Sequence, residues 1–268
     1  MPTWCNGGFV EQLTLAVNER GLMLGDGIFE TIAVHHGKAI WLDEHLSRLR
    51  EAANELGIPF AATDVHSAVV AILQKSSAAS EVLRITLTRG PTARGLAAQA
   101  TNPSLILTLN SFDKSKLPAT VRLQTSAIRR NPTSPTARMK TLNYLDNIMA
   151  ARGVSAAADD ALLLDTRGHV SCSTVANIFV LSENRLLTPE LSHAILPGIT
   201  RAKILQGASQ MGLSAGEGEI APHDLLKADT VFVCNSLRLA TPVSTIDGKV
   251  CRSRDIGFIN DYLNRSSS

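Results

Sequence analysis

The strongest constraint on the fold is a switch of period near the N-terminus. Ile28–Val34 and Glu81–Arg89 alternate apolar and polar residues, as half-buried strands do, and the first is rich in β-formers. Between them lie two stretches with helical spacing. Leu46, Leu49, Ala53 and Leu56 form one stripe, with Asp43 placed to cap it and Gly57-Ile58-Pro59 to end it. Val65, Ala68, Val69, Ile72 and Leu73 form the second, within Asp64–Lys75. Strands and helices in this mixture predict an α+β domain.

The pattern extends along the chain. Val17–Gly21 reads as a strand entering a turn, and Ala39-Ile40-Trp41 as a return strand after His36-Gly37-Lys38. Ser104–Leu109 and Val121–Ser126 read as strands, and the polar stretch near Asp113–Pro118 as a linker. Asn131–Thr136 is too proline-rich for a helix, and Thr141–Gly153 reads as one. Ala161–Leu164, His169–Ser171 and Asn177–Leu181 read as a meander. Thr200–Met211 and Ser253–Leu263 read as helices, with a strand at Val231–Val233. The expected division is an N-terminal domain over 1–115, a linker over 116–122 and a C-terminal domain with a meander sheet over 123–268.

Composition narrows the partners. A net charge of +2 implies no large basic field, so nucleic acid is not expected. No stretch has the length of a membrane span, and Met1–Val10 lacks the pattern of a signal peptide. Cys5, Cys172, Cys234 and Cys251 match neither a zinc motif nor a compact disulfide framework, which predicts a reduced, cytoplasmic setting and no metal. There is no G-x-x-x-x-G-K-[ST] loop, no H-E-x-x-H and no C-x-x-C.

Four local features can carry chemistry. Arg48 sits beside a buried helical stripe and can grip a phosphate, although an arginine there also serves by packing its stem. Lys140, flanked by Met139 and Leu142, can act as a partly desolvated amine; the plainer reading is a solvated lysine at a helix start. Leu196-Pro197-Gly198-Ile199-Thr200-Arg201 presents free amides and a hydroxyl at a helix start, where an ordinary cap is the alternative. Cys234-Asn235-Ser236 follows a strand and is either a phosphate-binding turn or a plain one. One lysine, one arginine and two phosphate-type backbone sites together suggest pyridoxal phosphate held through a lysine.

With these residues in place, the chain resembles the class IV aminotransferase family, the fold-type IV pyridoxal-phosphate enzymes. The resemblance is carried by Arg20-Gly21, Gly25-Asp26-Gly27-Ile28-Phe29-Glu30-Thr31 and His45-Leu46-Ser47-Arg48-Leu49. It continues through Lys140-Thr141-Leu142-Asn143-Tyr144-Leu145, Asn177-Ile178-Phe179, Pro197–Arg201 and Thr241-Pro242-Val243. It implies a two-domain α+β fold with the active site in the interdomain cleft, and a homodimer acting on a small amino substrate. It implies that Lys140 forms the Schiff base and Arg48 binds the cofactor phosphate. Ile199, Thr200 and Ser236 would bind that phosphate too, with Tyr144 a further cofactor contact. Arg94 is the implied contact to a substrate carboxylate, while the Thr31 hydroxyl is either a proton-handling or substrate-contacting group or a plain strand residue facing the core edge.

Within the family, the compact length, Cys234-Asn235-Ser236-Leu237, and Thr88-Arg89-Gly90 followed by Arg94-Gly95-Leu96 resemble the aminodeoxychorismate lyase branch. Branched-chain and D-amino-acid aminotransferases share most of the rest. Cys172 stands where the family usually has a glutamate that pairs with the pyridine nitrogen. A thiol keeps that nitrogen protonated poorly. An unprotonated ring, a thiolate partner and a catalytically weakened or non-catalytic relative are the three consequences open at this point.

Overall fold

The computed structural model describes residues 1–99 and 102–267. Ala100, Thr101 and Ser268, which fall within the two expected domains, lie outside the described residues. The chain forms two compact units. The first comprises Met1–Lys114 together with Lys140–Asn143, and the second Ser115–Met139 together with Tyr144–Ser268.

In the first unit, β1 (Thr3–Cys5), β2 (Gly8–Phe9), β3 (Gly27–His35), β4 (Lys38–Ala39), β5 (Ser80–Thr88) and β6 (Ser104–Ser111) form an antiparallel sheet ordered β2-β1-β6-β5-β3-β4. Its helices are α1 (Arg20–Leu24), α2 (Leu42–Leu56) and α3 (Ala62–Leu73). Successive strand residues face opposite sides. Ile28, Ile32, Val34, Leu83, Ile85 and Leu87 therefore share one face, where they pack with Leu49 and Ala53 of α2 and Val65, Val69 and Ile72 of α3. Each such side chain contributes about 1.5–3 kcal/mol on burial. Glu30 projects into this apolar face. Phe29, Thr31, Arg84 and Thr86 take the other.

The second unit has β7 (Val121–Arg130), β8 (Asp160–Asp165), β9 (Val170–Ser173), β10 (Asn177–Ser182), β11 (Arg185–Pro189), β12 (Ser214–Gly218), β13 (Thr230–Asn235), β14 (Leu239–Ile246) and β15 (Lys249–Val250). The order is β12-β11-β10-β13-β14-β7-β8-β9, with β15 on β14. Because β9 also pairs with β10, the strands from β10 round to β9 close into a ring. Closure leaves no free edge along that part of the sheet. Leu162, Leu164, Val170, Ile178, Val231, Val233 and Val243 fill one face. Its helices are α4 (Leu145–Arg152), α5 (Ile199–Gly207), α6 (Pro222–Leu225) and α7 (Gly257–Ser266).

Several local expectations are corrected. Val17–Gly21 is not a strand: Arg20–Leu24 is one helical turn, its start held by the Glu19 carboxylate accepting from Gly21 N–H. The cap of α2 is Trp41, in the left-handed region at φ 51°, and Asp43 lies inside the first turn. The return strand stops at Ala39. The helix expected over Thr141–Gly153 begins only at Leu145. Before it, Lys140–Leu142 pairs with β3. That pairing puts Lys140–Asn143 in the first unit, outside the expected C-terminal domain. The helix expected over Thr200–Met211 is α5, which ends at Gly207 and is followed by a 3-10 turn at Ser209–Met211, and the one expected over Ser253–Leu263 is α7, over Gly257–Ser266.

Candidate active site

The short β4 pairs only with Val34 and His35, which leaves the Gly27–Phe29 half of β3 exposed on that side. Lys140–Leu142 fills the gap. Phe29 N–H donates to Lys140 O at 2.9 Å, Leu142 N–H donates to Gly27 O at 2.9 Å, and Thr141 pairs with Ile28. Gly27 is required by this packing. A Cβ there would meet Leu87 O at 2.8 Å and Leu142 Cδ1 at 2.9 Å.

The ladder fixes the direction of Lys140, which lies opposite Phe29 and shares its face. Lys140 Nζ sits 4.3 Å from the Phe29 ring centroid, and Arg84 Cζ sits 3.9 Å from the same centroid. Thr31 is directly across from Arg84. The lysine is half-buried. Burial is the main influence on its amine and, with the charges of Arg48 and Arg84, outweighs the pull of Glu30, bringing it from 10.5 to about 8. About a tenth of Lys140 is thus neutral and nucleophilic at pH 7, and half at pH 8.

A buried polar group on the opposite side of β3 orders the neighbouring helix. Glu30 is 1% exposed and accepts from Arg48 Nε at 2.8 Å and Arg48 Nη2 at 2.7 Å. His45 Nδ1, fully buried, lies 2.7 Å from Glu30 Oε2. Burial alone would raise the carboxyl, but the Arg48 charge and the hydrogen bonds of both partners bring it to about 2. Burial lowers His45 below its usual value despite Glu30, so a neutral imidazole donates its Nδ1 proton to the carboxylate. The bidentate fork holds the Arg48 guanidinium in one orientation.

Arg94 is exposed, in a loop tied down by Arg20, whose Nη1 donates to Gly95 O at 2.7 Å and Nη2 to Leu96 O at 3.0 Å. Thr31, Lys140 and Arg84 are together on one face; Arg94 is not among them.

In the second unit, Asn177 organises three expected residues. It pairs with Cys172 on β9 and Cys234 on β13. Its Nδ2 donates to Leu196 O at 2.9 Å, and its Oδ1 lies where a Cβ on Gly198 would collide. This fixes the entry to α5, where Ile199 and Thr200 are buried. The first amides of a helix have no partner within it. Thr200 Oγ1 is also buried with no hydrogen-bond partner. An unsatisfied hydroxyl among free helix amides suits a phosphate. Ser236 is half-buried in a turn that Asn235 closes by accepting from the N–H groups of Leu237 and Arg238, each at 3.0 Å. Tyr144 is half-buried at the N-terminal boundary of α4.

Cys172 packs with Ala150, Ala161, Leu163 and Ile195. Burial is the main influence on its thiol and raises it, against the opposing charge of Arg130. In the protein alone, burial disfavours the thiolate.

Lys140 and Arg48 in the first unit, and the start of α5 in the second, each have the chemistry that pyridoxal phosphate calls for, whereas Cys172 brings no carboxylate. These features define a pyridoxal-phosphate enzyme of fold type IV. Residues 27–246 match the family described as Amino-transferase class IV, and the chain belongs to that family. A Methanocaldococcus jannaschii protein provisionally named a branched-chain-amino-acid aminotransferase is 31% identical over 98% of this chain and 94% of its own. The D-alanine aminotransferase of Bacillus licheniformis is 30% identical, over 92% of this chain and 89% of its own. A Legionella pneumophila structure provisionally named 4-amino-4-deoxychorismate lyase superposes with a TM-score of 0.89 at 32% identity, covering 96% of each chain. The protein is a pyridoxal-phosphate-dependent class IV enzyme acting on small amino substrates. No described helix is long and apolar enough to cross a membrane.

Residue types alone did not single out Glu30, His45 or Asn177. All three lie inside motif segments, but a buried ion pair between a strand and a helix, or an amide that ties a strand to a helix start, has no signature in spacing. Arg84 was one arginine of several until the β3–β5 register put it opposite Thr31.

Proposed function

We propose that the protein is an aminodeoxychorismate lyase, releasing 4-aminobenzoate and pyruvate, with Lys140 as the proton-transferring base. The observation that carries this reading is the half-buried Lys140 amine, at about 8, on the face that also bears Thr31 and Arg84. Pyridoxal phosphate, when bound, supplies an aldehyde that condenses with an amine and a ring that stabilises negative charge on the adjacent carbon.

The chain's own residues do the rest. Lys140 Nζ removes the proton from the substrate carbon that bears the amine. The Thr31 hydroxyl protonates the departing enolpyruvyl oxygen. Arg84 and Arg94 are assigned to the substrate's two carboxylates, Arg84 in a fixed position and Arg94 from its loop. Arg48, Ile199, Thr200 and Ser236 are assigned to the cofactor phosphate, and Tyr144 to a ring contact. The neutral Cys172 favours elimination over full amino transfer, since it supplies no negative charge to the pyridine nitrogen. The likeness to the Legionella protein supports the lyase reading.

A branched-chain or D-amino-acid aminotransferase is the second reading, supported by the likeness to the M. jannaschii and B. licheniformis proteins. In that reading the amine passes to a 2-oxo acid. A relative without turnover is the third, and rests on Cys172 alone. We also assign a homodimer, supported by the apolar surface that α1 exposes through Leu22 (68%), Met23 (64%) and Leu24 (47%).

The test begins with purified protein supplied with pyridoxal phosphate, reduced with borohydride and mapped by peptide. Label on Lys140 is expected; no label removes the enzyme reading. Unreduced enzyme loaded with pyridoxal phosphate is then assayed with aminodeoxychorismate for 4-aminobenzoate, and with leucine or D-alanine plus 2-oxoglutarate. Amino transfer without 4-aminobenzoate selects the second reading.

A further inference from the structure

Apart from the residues assigned above, the second unit gathers Asp165, His169 and His193. One ligating atom from each lies within 4.8 Å of the others. Asp165 ends β8, His169 closes the turn that leads to β9, and His193 ends a single 3-10 turn, Leu191–His193. The Asp165 and His193 side chains are fully buried, and that of His169 is 24% exposed.

The outer nitrogens of both imidazoles face carboxylates. His169 Nε2 is 3.0 Å from Glu219 Oε1, and His193 Nε2 is 3.7 Å from Glu190 Oε1. For His169 the carboxylate holds the ring proton on Nε2 and leaves Nδ1 as a lone-pair donor, the arrangement that surrounds metal-bound histidines, whereas His193 Nε2 is buried without a hydrogen-bond partner. Both Nδ1 atoms face one oxygen. Asp165 Oδ2 is 3.8 Å from His169 Nδ1 and 2.9 Å from His193 Nδ1. His169 Nδ1 is buried without a hydrogen-bond partner.

His193 Nδ1 is caught between incompatible neighbours. Asp165 Oδ2 at 2.9 Å calls for a proton on it, whereas Arg167 Nη2 at 3.1 Å calls for a lone pair. One nitrogen cannot serve both. A cation bound to Oδ2 and the two Nδ1 atoms satisfies all three groups. Bonds of about 2.0–2.1 Å in a tetrahedron set neighbouring ligand atoms roughly 3.4 Å apart, and the observed 3.8 and 2.9 Å straddle that spacing. Two imidazoles and a carboxylate suit zinc and its borderline neighbours, not magnesium or calcium.

We propose that Asp165, His169 and His193 form a site for a zinc-class divalent ion, with the Arg167 guanidinium as a competitor built into it. Arg167 Nη2 lies 3.1 Å from Asp165 Oδ2, and its side chain is 50% exposed, so it can turn outward when the ion enters. The ion displaces the guanidinium, and His193 binds it as the neutral tautomer with its ring proton on Nε2. Water fills the fourth position. Ser171 Oγ–H donates to His193 O at 2.7 Å, and Ala194–Gly198 runs from His193 into α5. The ion thus staples the β8–β9 turn to the segment that ends at Ile199 and Thr200.

The test uses the full chain loaded with pyridoxal phosphate and stripped of metal. It is titrated with zinc chloride in a calorimeter and with cobalt(II) by visible absorbance. We expect about one equivalent to bind, with the strong visible bands of tetrahedral cobalt. His169→Ala, folded by circular dichroism, should weaken binding at least about tenfold. Arg167→Ala should tighten it severalfold. No stoichiometric binding by either the wild type or Arg167→Ala overturns the site. Binding that His169→Ala leaves unchanged also overturns it, and puts the ion elsewhere, on the cysteines first of all.

Discussion

At the residue scale, the chemistry turns on how two cations are kept beside a lysine. Arg84 approaches the Phe29 ring together with Lys140, and its charge is one of the influences that lower the amine to about 8. Arg84→Gln removes that charge, so the amine should move to higher pH. The neutral fraction at pH 8 is expected to fall severalfold. The rate of amine labelling against pH, measured without cofactor, checks this; an unmoved midpoint would show that burial alone sets the value. Cys172 offers the complementary change. Cys172→Glu introduces a carboxylate near the positive charge of Arg130 and is expected to raise transaminase turnover with leucine or D-alanine. Unchanged or lower turnover would detach Cys172 from the choice of reaction.

At the element scale, two glycines set close approaches that position the site. Gly27 admits the Lys140–Leu142 segment beside β3, and Gly198 lets α5 start against Asn177. In Gly198→Ala the new methyl meets the Asn177 amide and pushes the first turn of α5 away. Pyridoxal phosphate is expected to bind about tenfold more weakly, with far-UV circular dichroism unchanged. Fluorescence titration with the cofactor measures the affinity, and wild-type affinity would remove α5 from the phosphate site.

Some elements were readable from local pattern and others were not. The strands at Gly27–His35 and Ser80–Thr88 were, because one face is buried and the alternation records it. The pairing of Lys140–Leu142 was not. Its partner strand is more than a hundred residues earlier, and the gap it fills exists only because β4 is two residues long. Read locally, Thr141 onward continues a helix. The short strands β1, β2 and β15 carry too few residues to show a period.

At the scale of the whole molecule, buried charge links folding to pH. Glu30 falls from 4.5 to about 2 on folding. Its contribution to stability is present above the unfolded value and is lost as pH drops through about 2. Lys140 works in the opposite direction. Its folded value of about 8 lies below the usual 10.5, so the burial penalty is in full force below about 8 and is relieved as pH rises toward 10.5. Urea denaturation of the cofactor-free protein should therefore give a stability that falls on the acid side and rises with pH between those two lysine values. Glu30→Gln leaves Arg48 without its counter-charge and is expected to cost on the order of 3 kcal/mol at pH 7, with a flatter profile below pH 4.5. A loss well under 1 kcal/mol would mean that the pair is not coupled to folding.

The amino-acid order by itself determined the α+β class, the family and the residue types that meet a phosphorylated aldehyde. Those features depend on local period and on short motifs, which neighbouring residues carry. Tertiary structure alone decided that Lys140 belongs to the first unit and is partly neutral. It also decided that Glu30 and His45 order Arg48, that Arg84 stands opposite Thr31, and that Asp165, His169 and His193 converge. Each of these depends on strand register or on burial between segments far apart in the chain, and a pairing distance or a desolvation has no counterpart in local sequence.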